Sequence, residues 1–188
     1  MISQTGFWNF SGCAFDREHV YDQKLSDALV VLAKRLGVTK SYDFGCGPGK
    51  YVENFRKNGI EAVGFDGNPT TINFRNCVVQ DLTSTFQEPS VDFLISLEVC
   101  EHVPKKHEEA LLDTFGRHLN PGGTIVISWA VVGQRGTGHI NCQNNDYVIQ
   151  KFVSMGYIYK DEESKTLRQN VSECAPWFLN TTLVFQKK

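Results

Sequence analysis

Glu98, Glu101 and His102 stand at i, i+3 and i+4 directly behind an apolar run, FLIS at 93–96. A helical turn at that point places both carboxylates and the imidazole on one face. Two carboxylates and an imidazole form a donor set for a divalent cation such as Mg2+ or Mn2+. His139 lies in the polar stretch GQRGTGHINCQNN at 133–145 and is the candidate fourth ligand, or a general base. Gly136 and Gly138 give that stretch mobility. The amides of Gln134, Asn141, Gln143 and Asn144 can exchange hydrogen bonds with a polyhydroxylated molecule. The metal candidates are therefore Glu98, Glu101, His102 and His139, and the catalytic candidates Glu98, His102 and His139.

A second constellation precedes these residues. DFGCGPG at 43–49 follows one apolar run and opens a helical pattern, so its glycines let the backbone turn tightly and approach a ligand. Asp66 closes the next apolar run about 20 residues after Gly45, where a carboxylate can accept hydrogen bonds from both ribose hydroxyls of an adenosine. Asp81 closes the run after that and can meet an adenine amino group, with Leu82 against the ring.

The elements that must position these residues alternate between short strand-like and longer helix-like patterns, the signature of βαβ units and a parallel sheet. Strands are predicted at about 40–44, 60–65, 77–80, 92–96, 124–130, 157–159 and 179–186. Helices are predicted at about 17–36, 50–58, 70–73, 106–119, 146–155 and 162–173, with a turn at Asn120–Gly123. Val20, Leu25, Leu29, Leu32 and Leu36 form the apolar stripe of the first helix, and Gly37 ends it. The result is an α/β, doubly wound, seven-stranded and mostly parallel sheet whose last strand is antiparallel.

The 188 residues are 41% hydrophobic and 21% charged, enough for one core and one domain, with residues 1–37 as an arm and helix covering the site. Nineteen Lys and Arg against 21 Asp and Glu give a formal net charge of -2, which argues against nucleic acid as a partner. The six cysteines form no CxxC pair and suit reduced thiols in a cytoplasmic location. No apolar run reaches membrane-spanning length. The sequence leaves the oligomeric state open.

The motifs DFGCGPG (43–49), VGFDGN (63–68), VQDL (79–82), FLISLEVCEHV (93–103) and LNPGGTIVIS (119–128) together resemble the class I S-adenosylmethionine-dependent methyltransferases. The resemblance implies cofactor contacts at Asp43, Gly45, Gly47, Asp66, Asp81, Leu82 and Leu97, and the same loops carry Cys46, Gly67 and Asn68 to the cofactor. An acidic first position suits an ammonium group better than a pyrophosphate. The ExxEH pattern at 98–102 is similar to that of metal-dependent O-methyltransferases of the small-RNA 2′-O and ubiquinone-pathway types. Their fourth ligand lies farther along the chain than His139 does.

These features imply methyl transfer to a hydroxyl of a small polyhydroxylated acceptor, a sugar or glycan, assisted by a divalent metal. RNA ribose 2′-O-methylation and a non-catalytic cofactor-binding module are the alternatives. Trp8, Phe10, Phe15 and Tyr21 form an aromatic N-terminal arm, either a stacking platform or an anchor to the core. Trp129 points to the cleft or into the sheet, and Trp177 packs the last connection. His19, His107 and His118 are expected on helices as solvated or capping residues.

Overall fold

The computed structural model describes residues 2–9 and 19–188. Phe10, Cys13, Phe15 and the first two positions of the predicted first helix lie outside the described residues. Seven strands form one sheet: β1 (Lys40–Phe44), β2 (Glu61–Asp66), β3 (Cys77–Val79), β4 (Val91–Ser96), β5 (Leu119–Ser128), β6 (Tyr157–Tyr159) and β7 (Thr182–Lys187). Their order is β3-β2-β1-β4-β5-β7-β6. β7 pairs antiparallel with both of its neighbours, and the remaining pairs are parallel.

Helices cover both faces, which is why the strands read as continuous apolar runs. α1 (Gln23–Arg35), α2 (Lys50–Lys57) and α5 (Asp161–Arg168) pack on one side, where Phe93, Ile95 and Val126 point. α3 (Glu108–His118) and α4 (Asn145–Ser154) pack on the other, over Leu94, Ile125 and Ile127. Adjacent residues of β4 and β5 thus divide between two cores by the period-2 rule. A short α6 (Phe178–Thr181) leads into β7.

Several boundaries differ from the sequence expectation for identifiable reasons. α1 starts at Gln23 because the buried Asp22 caps it, its carboxylate accepting from the Leu25 N–H at 3.0 Å and from the Ser172 N–H at 2.8 Å. Val20 and Leu36 consequently fall outside the stripe and are 43% and 49% exposed. The predicted helix at 70–73 is a 3-10 turn, Pro69–Asn73.

Asn120–Gly123 is an irregularity inside β5 instead of a separate turn, since Val91 pairs with Leu119 and Phe93 with Thr124. α5 stops at Arg168, whose guanidinium donates to the Thr182 carbonyl. The last strand begins only at Thr182 because Thr181 and Thr182 hydroxyls bond back to the Trp177 and Phe178 carbonyls, holding α6 in helical form.

His118 is a core residue and neither solvated nor a cap. It is 1% exposed and stacks on Phe86 at 4.5 Å. Its Nδ1 donates to the Thr114 carbonyl, while Nε2 accepts the Glu88 N–H. His19 lies before α1 and not on it, whereas His107 does occupy the N-cap position of α3.

Candidate active site

In a parallel sheet the carboxyl ends of the strands meet along one edge, and ligands of doubly wound folds bind in the crevice outside them. β1 ends at Phe44, and the N–H groups of Gly45 and Cys46 both donate to the Phe65 carbonyl of β2. That ties the glycine loop to its neighbour strand before the loop turns into α2. Gly47 has φ +49°, and a Cβ there would fall 2.2 Å from the His19 ring, so glycine satisfies both backbone and space.

Asp66 receives the loop from the other side. Its carboxylate accepts the Gly47 N–H at 2.9 Å and the Asn68 N–H at 2.8 Å. Each oxygen keeps lone-pair capacity toward the cleft. Burial raises the Asp66 pKa even against those two bonds. Asp43 is fully enclosed, with one carboxylate oxygen that has no hydrogen-bond partner among the described residues. Burial first, then Cys77 and Asp66, push its carboxyl well above the usual range.

Asp81 accepts from the Thr83 N–H and hydroxyl and from the Thr5 hydroxyl at 2.7 Å. Asp43, Gly45, Cys46, Asp66, Gly67, Asp81, Leu82 and Leu97 line one cavity of about 420 Å³. Gly47 and Asn68 do not line it. Gly47 holds Asp66, and Asn68 caps the 3-10 turn by accepting the Thr70 N–H. The Cys46 thiol packs toward Gly64 and donates to the Gly47 carbonyl at 3.7 Å.

The other half of the cavity lies beyond β4 and β5. Residues 98–102 form turns and no helix, so Glu98, Glu101 and His102 do not share a helical face. Glu98 has φ +56°, and its carboxylate accepts the Ser128 hydroxyl at 2.7 Å, while the same oxygen of Ser128 accepts the Glu98 N–H. Ligand atoms of Glu101, His102 and His139 come within 4.8 Å of one another, whereas Glu98 stays outside that trio.

The trio has a coherent protonation state. His102 Nδ1 faces the Gly138 carbonyl at 3.2 Å, and His139 Nδ1 faces the Gln134 carbonyl at the same distance. A carbonyl only accepts, so in both rings Nδ1 is the donor, and in the neutral ring of His102 Nε2 is then an electron-pair donor. Burial brings His102 down to about 4, which keeps it neutral at physiological pH. Both Glu101 carboxylate oxygens are buried without a hydrogen-bond partner among the described residues, and burial and then the Glu98 charge raise its pKa well above normal. Burial likewise lifts Glu98 to about 7.

The loop that carries His139 is fastened by residues that sequence reasoning assigned otherwise. Ile140 and Asn141 N–H groups both donate to the Glu101 carbonyl, at 3.0 and 2.9 Å. Asn141 is 4% exposed and wholly engaged inside the protein. Its amide donates to Glu108 at 2.9 Å and accepts from Gln143, and its carbonyl accepts the Trp129 indole N–H at 2.6 Å. Trp129 therefore points into the core, and Asn141 and Gln143 bond each other instead of facing the cavity. Gln134, by contrast, does line the cavity, as do Glu98, His102 and His139.

Sequence reasoning set residues 1–37 over the site without singling out Thr5, Gly6, Phe7 or His19, all of which line the cavity with Trp8 and Trp177. Trp8 meets the His102 ring edge-on at 4.9 Å and the His19 ring at 5.2 Å. The aromatic density near the N-terminus was the only signal for this placement.

Fold and cleft define a S-adenosylmethionine-dependent methyltransferase. Residues 17–149 match the methyltransferase domain family, and the chain belongs to it. Similar solved structures include the sugar N-methyltransferase KedS8 from Streptoalloteichus sp ATCC 53650, with a TM-score of 0.73 and 13% identity over 96% of this chain and 94% of that one. CalS10, an amino pentose methyltransferase from Micromonospora echinaspora, aligns with a TM-score of 0.70 and 12% identity over 96% and 99%. The Burkholderia thailandensis 1,6-didemethyltoxoflavin-N1-methyltransferase, bound to S-adenosylhomocysteine, gives 0.65 and 13% over 94% and 81%. No curated protein matches by sequence. No helix among the described residues is long and apolar enough to cross a membrane.

Proposed function

We propose that this methyltransferase acts on a hydroxyl of a small polyhydroxylated acceptor, a sugar or glycan, with a divalent cation at Glu101, His102 and His139. The carrying observation is the buried Glu101 carboxyl, both of whose oxygens lack a hydrogen-bond partner among the described residues, with a ligand atom of each of His102 and His139 within 4.8 Å. Burial favours the protonated form of such a carboxyl, and a cation there would displace the proton and give both oxygens a partner. The names of two structural neighbours, a sugar N-methyltransferase and an amino pentose methyltransferase, support a sugar as the acceptor, while the choice of its hydroxyl rests on the cation site alone.

In this reading Asp66 holds the ribose, Asp81 and Leu82 the adenine, and Asp43 with the Gly45–Gly47 backbone and Leu97 the amino-acid end. A cation held by Glu101, His102 and His139 would lower the pKa of an acceptor hydroxyl. Glu98, which lines the cavity while Glu101 does not, takes the hydroxyl proton. The acceptor oxygen attacks the methyl carbon in line as the carbon–sulfur bond breaks, and S-adenosylhomocysteine leaves with the bonding pair. The protein's main contribution is the alignment of oxygen, carbon and sulfur.

The test is a calorimetric titration with S-adenosylhomocysteine, with Mn2+ or Mg2+ and again with chelator, NAD serving as control. Turnover assays on neutral sugars, amino sugars and a short RNA follow. Micromolar binding without NAD binding, and chelator-sensitive turnover on neutral sugars alone, support the proposal. Chelator-insensitive turnover removes the cation and leaves His139 as the base, while turnover confined to amino sugars or RNA overturns the acceptor class.

A further inference from the structure

Gly67 follows the carboxylate that ends β2 and presents bare backbone to the cavity. The space a side chain would fill there is already taken by another residue: a Cβ on Gly67 would lie 2.3 Å from Cγ and 2.4 Å from Cδ1 of Phe7. Phe7 belongs to a tight hairpin at residues 2–9, closed by the Ile2–Trp8 bridge and by the Ser3 N–H donating to the Phe7 carbonyl at 2.9 Å.

That hairpin is pinned on both sides of the cavity. On one side Thr5 donates to Asp81 at 2.7 Å. On the other, Gly6 lies so close to the 102–103 backbone that a Cβ would fall 2.4 Å from the His102 carbonyl oxygen. Phe7 thereby packs over Gly67, the residue after Asp66, from a hairpin bonded to Asp81, and lines the same cavity as Leu82. The cavity keeps about 420 Å³ with the hairpin seated, within the range of small-molecule sites, so the hairpin is a wall and not a plug.

We infer that Phe7 is a cofactor-positioning residue: its ring supplies, from the N-terminal hairpin, the apolar face for the adenine that Gly67 cannot supply from the end of β2. This rests on the placement of the adenosine between Asp66 and Asp81. A purine has two faces and the Leu82 side chain covers only one region of them. An aromatic ring is a suitable second surface because base–aromatic stacking is favourable with any base.

The experiment measures S-adenosylhomocysteine and adenosine affinity for the full chain, for Phe7→Ala, and for Phe7→Ala combined with Gly67→Leu, with a thermal melt confirming that each variant is folded. Phe7→Ala should weaken both ligands by the same factor, about tenfold or more. The double variant, whose leucine enters the vacated space, should regain most of that loss, and Phe7→Trp should bind as well as the parent. Parent protein that binds neither ligand would refute the cofactor placement itself. Parent protein that binds, with Phe7→Ala binding unchanged or tighter, would overturn the inference alone.

Discussion

Replacing Asn141 with alanine tests whether the His139 loop is held by that one buried amide. The substitution leaves the two main-chain bonds to the Glu101 carbonyl intact and removes the side-chain bonds to Glu108 and Gln143. A bond to a carboxylate contributes about 1.5–3 kcal/mol and a neutral one about 0.5–1.5 kcal/mol, so the loss is about 2–4 kcal/mol. For a chain of this size each kcal/mol moves the melting temperature by about 2–4 °C, giving a fall of about 5–15 °C. Cofactor affinity should change less than about twofold, because the cofactor half of the cavity is built from other strand ends, while kcat falls about tenfold as His139 loses its fixed position. Asn141→Asp keeps the shape but places a second carboxylate against Glu108, so it should be less stable at pH 8 than at pH 5. A melting temperature within 2 °C of the parent and an unchanged kcat for Asn141→Ala would refute the reasoning.

In chelator-containing buffer, the raised Glu98 makes the fold most stable below pH 4.5 with respect to this group, and that stability is lost as pH rises through about 7. Glu98→Gln should flatten the slope by at most about 3 kcal/mol, at about 1.4 kcal/mol per pH unit, as read from urea midpoints at pH 5 and pH 8; parallel profiles would contradict it. Asp43→Asn should raise the melting temperature at neutral pH, since burial disfavours the native carboxylate, while weakening S-adenosylhomocysteine in calorimetry; a loss of stability would contradict the first half. Tyr157→Phe removes a buried hydroxyl that has no hydrogen-bond partner among the described residues, pushed up to about 12 by burial, and should raise the melting temperature by a few degrees without altering turnover.

The half of the site on β1 to β3 was legible because its chemistry is local. Asp43, Gly45 and Asp66 sit at or next to strand ends, and strand ends are what an apolar run followed by glycine or acid marks in a sequence. The half beyond β4 was legible only in part. Periodicity suggested a helical turn for 98–102, but Glu98 adopts a positive φ because Ser128, thirty residues away, takes both its N–H and its carboxylate. Asn141 looked like an acceptor contact because a polar residue in a polar loop carries no sign of burial; Trp129 and Glu108, which enclose it, are distant in sequence. Phe7 gave no sign of its role for the same reason, its contact with Gly67 being fixed by tertiary packing.

The physical division of the cavity follows from the sheet. The strand order reverses between β1 and β4, so the crossover helices leave on opposite faces and a crevice opens between the two strands. Every parallel strand ends at that edge, and several acids stand at or next to those ends: Asp43 one residue before the end of β1, Asp66 closing β2, and Glu98 and Glu101 just beyond β4. Burial raises the pKa of all four, so each favours its protonated form over the carboxylate. Apolar packing on both faces of β1, β4 and β5 supplies the stability that offsets enclosing these polar groups. A cation bound beside them would favour the carboxylates, so its binding would release protons and tighten as pH rises.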